Sequence, residues 1–224
     1  VSDPIGVPRD IEIPGAGVDL DALILEPANG DKSPILMIHE NRGLVPYMIA
    51  VMESLAEAGH TVLAPDLLTR IGGTAEHPND PDITTRLIDE DTHEADLVSA
   101  YDWMTDRIGC PAVLGLCFGA EMGWRLITRR DPRRAALLYG IGPDPAEVSR
   151  IRIPVYAAYA QDDDRVNDTL PPLCDALILS QAAITMECFP GTRHAFHDHT
   201  RPDRYHSKAA EVVWSRALTF LSED

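Results

Sequence analysis

The chain has 224 residues, 45% of them apolar, which is enough to bury a sizeable core in one α/β domain. Its 36 Asp and Glu outweigh 19 Lys and Arg, and a net charge of -17 repels both a phosphate backbone and an anionic bilayer, which excludes nucleic acid and membrane as partners. The longest apolar runs, such as Ile35 to Ile38 and Ala135 to Leu138, fall far short of the roughly 20 residues that cross a bilayer.

In chain order, the amino end Val1-Ser2-Asp3-Pro4-Ile5-Gly6 shows no basic stretch and no apolar core of signal type, so a cytoplasmic location is expected. Candidate strands are Leu20–Glu26, Pro34–His39, Thr61–Pro65, Ala112–Leu116, Ala135–Tyr139, Val155–Tyr159 and Ile184–Cys188, the second through sixth being interior. Most lack polar alternation, as expected where helices cover both faces of a sheet. Helices are expected over Pro46–Ala58, Thr84–Arg107, Phe118–Arg130 (stopped by Asp131-Pro132) and Arg204–Leu221. Strands alternating with helices predict a single α/β domain over residues 1–224 with a mostly parallel central sheet. Gly72–Pro81 has the composition of a long loop, either a lid or a plain surface excursion.

Four cysteines, Cys110, Cys117, Cys174 and Cys188, form no C-x-x-C pair and suit a reducing compartment. Three of them read as small buried apolar residues. Cys117 differs, because Gly115-Leu116-Cys117-Phe118-Gly119 lies between a buried strand and a helix. Flanking glycines there permit the sharp turn of a nucleophile elbow, and the helix amino terminus favours thiolate. The same five residues also fit an inert cysteine in a tight strand-to-helix junction. Partners argue for the elbow: the order in this fold is nucleophile, acid, histidine. Asp162-Asp163-Asp164 follows one later strand and His194 the next, so His194 would take the thiol proton while one Asp fixes its tautomer. The set His194, His197, His199 and His206 lacks the spacing of a helical zinc site, and the Asp run lacks the central Gly of a calcium loop; no cofactor or metal is expected.

His39-Glu40-Asn41-Arg42-Gly43-Leu44, the cysteine elbow, Asp163 three residues before Val166, and His194-Ala195-Phe196-His197 together resemble the dienelactone hydrolase family from about Pro34 to the carboxyl end. The resemblance implies an α/β-hydrolase fold and a Cys117, Asp163, His194 triad, with Asp162 and Asp164 as neighbouring registers. It implies hydrolysis of a small-molecule lactone or carboxylic ester through a thioester acyl-enzyme. It also implies that Glu40 contacts the resting thiol and is displaced by substrate, and that Tyr139 lies near the substrate. The backbone N–H groups of Phe118 and Asn41 would form the oxyanion hole. For a substrate carboxylate Arg42 is best placed, with Arg86, Arg201 and Arg204 as further candidates. A general carboxylesterase, a tailoring hydrolase with the same triad, and a non-catalytic binding protein on the same fold are the alternatives.

Overall fold

In a computed structural model the described residues are 6–30, 32–77, 88–180 and 182–223. Contacts divide the chain into two compact units, which meet in sequence at Ala112 and Val113.

In the first unit, β1 (Arg9–Pro14) and β2 (Asp19–Leu25) form an antiparallel hairpin, followed by β3 (Lys32–Ile38) and β4 (His60–Pro65), in the spatial order β1-β2-β4-β3. β2 runs antiparallel to β4, and β3 parallel to it. β1 is a strand that the sequence reading did not foresee. Its two isoleucines alternate with Asp10 and Glu12, so only Ile13 is fully buried and no apolar run marks it. Between β3 and β4, α1 (Pro46–Glu57) opens with proline at its first position, where no N–H partner is needed, and buries Met48, Met52 and Leu55. The next helix, α2 (Glu90–Arg107), begins later than expected. Asp89 caps it by accepting the Thr92 N–H at 2.9 Å, and Ile88 precedes the cap; Thr84 to Leu87 lie outside the described residues. Of the Gly72–Pro81 loop, the described part contains one 3₁₀ turn, Thr74–Glu76, and residues 78–81 lie outside it.

The second unit is a parallel sheet of β5 (Ala112–Leu116), β6 (Ala135–Leu138), β7 (Val155–Asp162) and β8 (Ile184–Arg193), side by side in that order. Helices α3 (Phe118–Leu126), α4 (Asp164–Asn167), α5 (Leu170–Ser180) and α6 (Ser207–Ser222) connect or follow the strands. α3 ends before the expected Arg130. The last turn tightens as Thr128 N–H and Thr128 Oγ1 both bond the Arg125 carbonyl, at 3.1 and 2.8 Å, so the chain leaves the helix four residues before Asp131-Pro132 could stop it. α6 starts three residues later than Arg204, at Ser207, behind the cap His206, whose Nδ1 accepts the Ala209 N–H. α5 was not foreseen; Pro171 and Pro172 resemble a break, but both sit in its first turn, where proline is tolerated.

Two of the cysteines expected to be buried are exposed, Cys110 and Cys188, and Cys174 is half-buried; none of the four is in a disulfide. Cys188 lies on β8, at the sheet edge, where outward side chains meet solvent, and Cys110 lies in the turn before β5. No helix among the described residues is long and apolar enough to cross a membrane.

Candidate active site

At the end of β5 the backbone turns through Cys117 at φ 55° and ψ -117°, a region that L residues with side chains rarely occupy. The turn exists because strand and helix backbones come very close. A Cβ on Gly115 would stand 2.3 Å from the Gly119 carbonyl oxygen and 2.8 Å from the Ala120 Cα, and one on Gly140 would stand 2.5 Å from the Ala120 Cβ. The Cys117 N–H is anchored on the Leu138 carbonyl at 2.9 Å, and its own carbonyl accepts from Ala120 and Glu121 to begin α3. Half-buried Cys117 therefore sits at the amino terminus of that helix, at the positive end of its dipole.

The Cys117 sulfur lies 2.9 Å from His194 Nε2, and His194 Nδ1 lies 2.6 Å from Asp163 Oδ2. With Nδ1–H donating to the carboxylate, Nε2 is the nitrogen that exchanges a proton with sulfur. Of the three consecutive acids, Asp163 is buried and reaches the ring, while Asp162 and Asp164 are exposed. Strand pairing brings this about. β8 runs five residues beyond the expected Cys188, and after an irregularity at Ala160/Asp162 its Arg193 pairs with Asp162, which sets the next residues, Asp163 and His194, side by side. The irregularity is clamped from two sides: Asn167 Nδ2 donates to the Ala160 and Gln161 carbonyls, and Gln161 Oε1 accepts the Gly191 N–H at 2.7 Å. Neither Gln161 nor Asn167 was foreseen, since side-chain amides acting on backbone groups leave no motif.

Burial of the His194 ring opposes its charge, but hydrogen bonds to Asp163 and Cys117 and the attraction of both outweigh it and raise its pKa to about 9. Tyr139, fully buried at φ 47°, packs edge-on to that ring with centroids 5.3 Å apart and to Phe196 at 5.7 Å. It braces the imidazole. Ala195, at φ 64°, is a third residue with positive φ beside the histidine, after Cys117 and Tyr139. The other three histidines diverge: His197 stacks on Trp214 at 5.2 Å, with burial lowering its pKa to about 4; His206 caps α6; and His199 is exposed. Among the described residues no three His, Cys, Asp or Glu side chains are grouped to hold a metal.

In the first unit, Glu40 is buried and its Oε1 accepts from Arg42 Nε at 2.5 Å. The turn carrying them is fixed by His39, whose Nδ1 is 2.6 Å from the Glu40 carbonyl and whose Nε2 accepts the Leu67 N–H at 2.9 Å. Full burial, only partly offset by Asp66, lowers the His39 pKa and keeps it neutral. Gly43 closes the turn at φ 81°, its N–H on the Glu40 carbonyl; Asn41 follows Glu40 in the same turn. A cleft of about 850 Å³ in this unit, lined by Asp10, Glu12, Asp21, Asp66 and Leu44, contains none of these candidate residues, and its carboxylates suit an anionic substrate poorly. Arg86 lies outside the described residues. Arg204 pairs loosely with Asp203 at 3.5 Å, and Arg201 is half-buried, its carbonyl accepting from Arg204 and Tyr205.

A strand, a strained turn and a helix, with the histidine and acid supplied after later parallel strands, define the α/β-hydrolase fold. The family model for dienelactone hydrolases matches residues 20–224, and the chain belongs to that family of hydrolases. A Saccharolobus solfataricus protein provisionally named a carboxymethylenebutenolidase is 25% identical, covering 95% of this chain and 97% of its own length. The carboxymethylenebutenolidase of Rhodococcus opacus is 22% identical, covering 86% of this chain and 81% of its own. A Klebsiella pneumoniae structure provisionally named a dienelactone hydrolase superposes with a TM-score of 0.88 at 22% identity, covering 99% of this chain and all of that one, and shows the same fold.

Proposed function

We propose that this hydrolase opens a lactone or cleaves a carboxylic ester of a small molecule by acyl transfer through Cys117. The observation that carries the reading is the line of contacts from the strained Cys117 sulfur to His194 at 2.9 Å and on to Asp163 at 2.6 Å. With a pKa near 9 the ring holds its proton at neutral pH, so His194 is ready to protonate the leaving group.

The thiolate attacks the acyl carbonyl, and the Phe118 N–H at the helix terminus stabilises the oxyanion. The tetrahedral intermediate collapses to a thioester as the alkoxide or enolate leaves, taking the proton of His194. Neutral His194 then accepts a proton from water as its oxygen attacks the thioester, and the second collapse releases the acid and frees Cys117 beside a protonated His194. Asp163 keeps the ring in the right tautomer throughout. Family likeness adds the Asn41 N–H as a second oxyanion donor, and it adds Glu40 and Arg42 as a coupled pair. A substrate carboxylate that draws on Arg42 loosens its hold on Glu40. Names of the relatives support a butenolide-type lactone as substrate, and the acidic, reduced-cysteine chain supports action in the cytoplasm, away from nucleic acid and membranes.

The test is covalent. A slow ester should leave one acyl group on the Cys117 peptide, seen by mass spectrometry, and a panel of dienelactones and aryl esters should rank the lactones first. Labelling elsewhere, or full activity in Cys117→Ala, overturns the mechanism.

A further inference from the structure

Outside the catalytic machinery, the second unit gathers arginines in a way that the acyl-transfer chemistry does not use. A cavity of about 280 Å³ is lined by Thr128, Arg129, Arg130 and Asp131, just past the end of α3, and by Arg150 and Arg152 on the approach to β7. It lies at the amino ends of β6 and β7, whereas Cys117 and Asp163 follow the carboxyl ends of β5 and β7, so the two places occupy opposite ends of the parallel strands.

Four guanidiniums face one lining carboxylate. Even with Glu147 counted, the cluster keeps an excess of two positive charges in a chain whose net charge is -17. Glu147 Oε1 accepts from Arg129 at 2.7 Å and from Arg150 at 2.8 Å, so one carboxylate holds arginines from two different elements side by side. Arg129 is also steadied by Thr128 Oγ1 at 3.1 Å, and Arg130 by the Arg129 carbonyl at 3.0 Å. Each guanidinium has five N–H donors in a planar fork that matches a phosphate or carboxylate, and packing like charges around a concavity is favourable once an anion sits among them.

We propose that this cavity is a binding site for a small polyanion, a compact phosphorylated or polycarboxylate metabolite carrying two or more negative charges. The volume sets the scale, since it lies just below the range of about 300 to 1,000 Å³ that takes drug-sized ligands. The arginines set the charge.

Titration calorimetry of the intact protein with pyrophosphate and, separately, with citrate tests the site at low ionic strength. One anion per chain should bind, more weakly as salt is added, and the tighter of the two probes assigns phosphate or carboxylate chemistry. Arg150→Gln and Arg152→Gln should each weaken binding by about tenfold, the loss expected for one charge-assisted hydrogen bond. Arg152 is exposed and makes no hydrogen bond among the described residues, so its variant should fold and keep esterase activity, while Cys117→Ser should bind the probe unchanged. The proposal is overturned by absence of heat with both probes at millimolar concentration, by unchanged affinity in both arginine variants, or by loss of binding in Cys117→Ser.

Discussion

Replacing Asp163 by Asn removes one charge and little volume, so its effect reads the electrostatics of the candidate site. His194 stands at a pKa of about 9 against an ordinary 6.5, a net preference for the imidazolium of about 3 kcal/mol. That preference is what remains after burial, which acts the other way, has been outweighed by Asp163 and Cys117. With the Asp163 charge gone, burial is opposed by Cys117 alone, and the ring pKa should drop by at least about one unit. In the wild type, kcat/KM should fall on the alkaline side with a midpoint near pH 9, as His194 loses the proton that the leaving group needs. In Asp163→Asn that limb should move toward neutrality, and kcat/KM at pH 7.5 should fall about a hundredfold or more. Stability should follow the same group. A pKa raised in the folded state contributes stability that is fully present below 6.5 and lost as pH rises through about 9, and Asp163→Asn should flatten that loss. The assay is a pH profile on an activated ester, with urea unfolding of the same samples at pH 6 and 9.5. Asp162→Asn and Asp164→Asn, at exposed positions, serve as controls and should stay within about twofold of wild type. An alkaline limb still at pH 9 in Asp163→Asn, with near wild-type kcat/KM, would refute the reasoning.

Gly115→Ala should destabilise the protein by about 3 kcal/mol or more and abolish activity, because the new methyl meets backbone atoms at 2.3 to 2.8 Å that cannot move aside singly; urea unfolding measures it, and a midpoint within error of wild type would contradict it. Asp96→Ala should cost about 3 kcal/mol, since this fully buried carboxylate takes two hydrogen bonds from Arg70 and one from the Ala16 N–H; a loss below about 1 kcal/mol would show that water replaces it. His197, with its pKa lowered to about 4, should cost stability as pH falls from 6.5 toward 4, where the unfolded chain takes a proton that the buried ring refuses. His197→Gln should show a shallower decline of unfolding free energy over that window, and an unchanged slope would count against it.

What could be read from the chain follows from the range of the interactions concerned. The buried strands of the second unit are continuous apolar runs, and their starts were legible for that reason, whereas β1 escaped because only Ile11 and Ile13 interrupt its charges. Helix ends shifted wherever a local hydrogen bond decided them, as Thr128 did for α3, Asp89 for α2 and His206 for α6. The exposure of Cys188 depends on β8 being an edge strand, a property of the sheet and not of the residue.

The sequence by itself determined the residue types of the site and their order: a cysteine between glycines at a strand-to-helix junction, then acids, then a histidine. That much is local backbone chemistry and chain order. Only the tertiary structure decided that Asp163, among three adjacent acids, meets His194, because the choice turns on an irregular pairing of β7 with β8 and on which side chain it buries. It also decided that Arg129 and Arg150, 21 positions apart, share one carboxylate at the rim of a cavity, a convergence between separate elements that no spacing in the chain encodes.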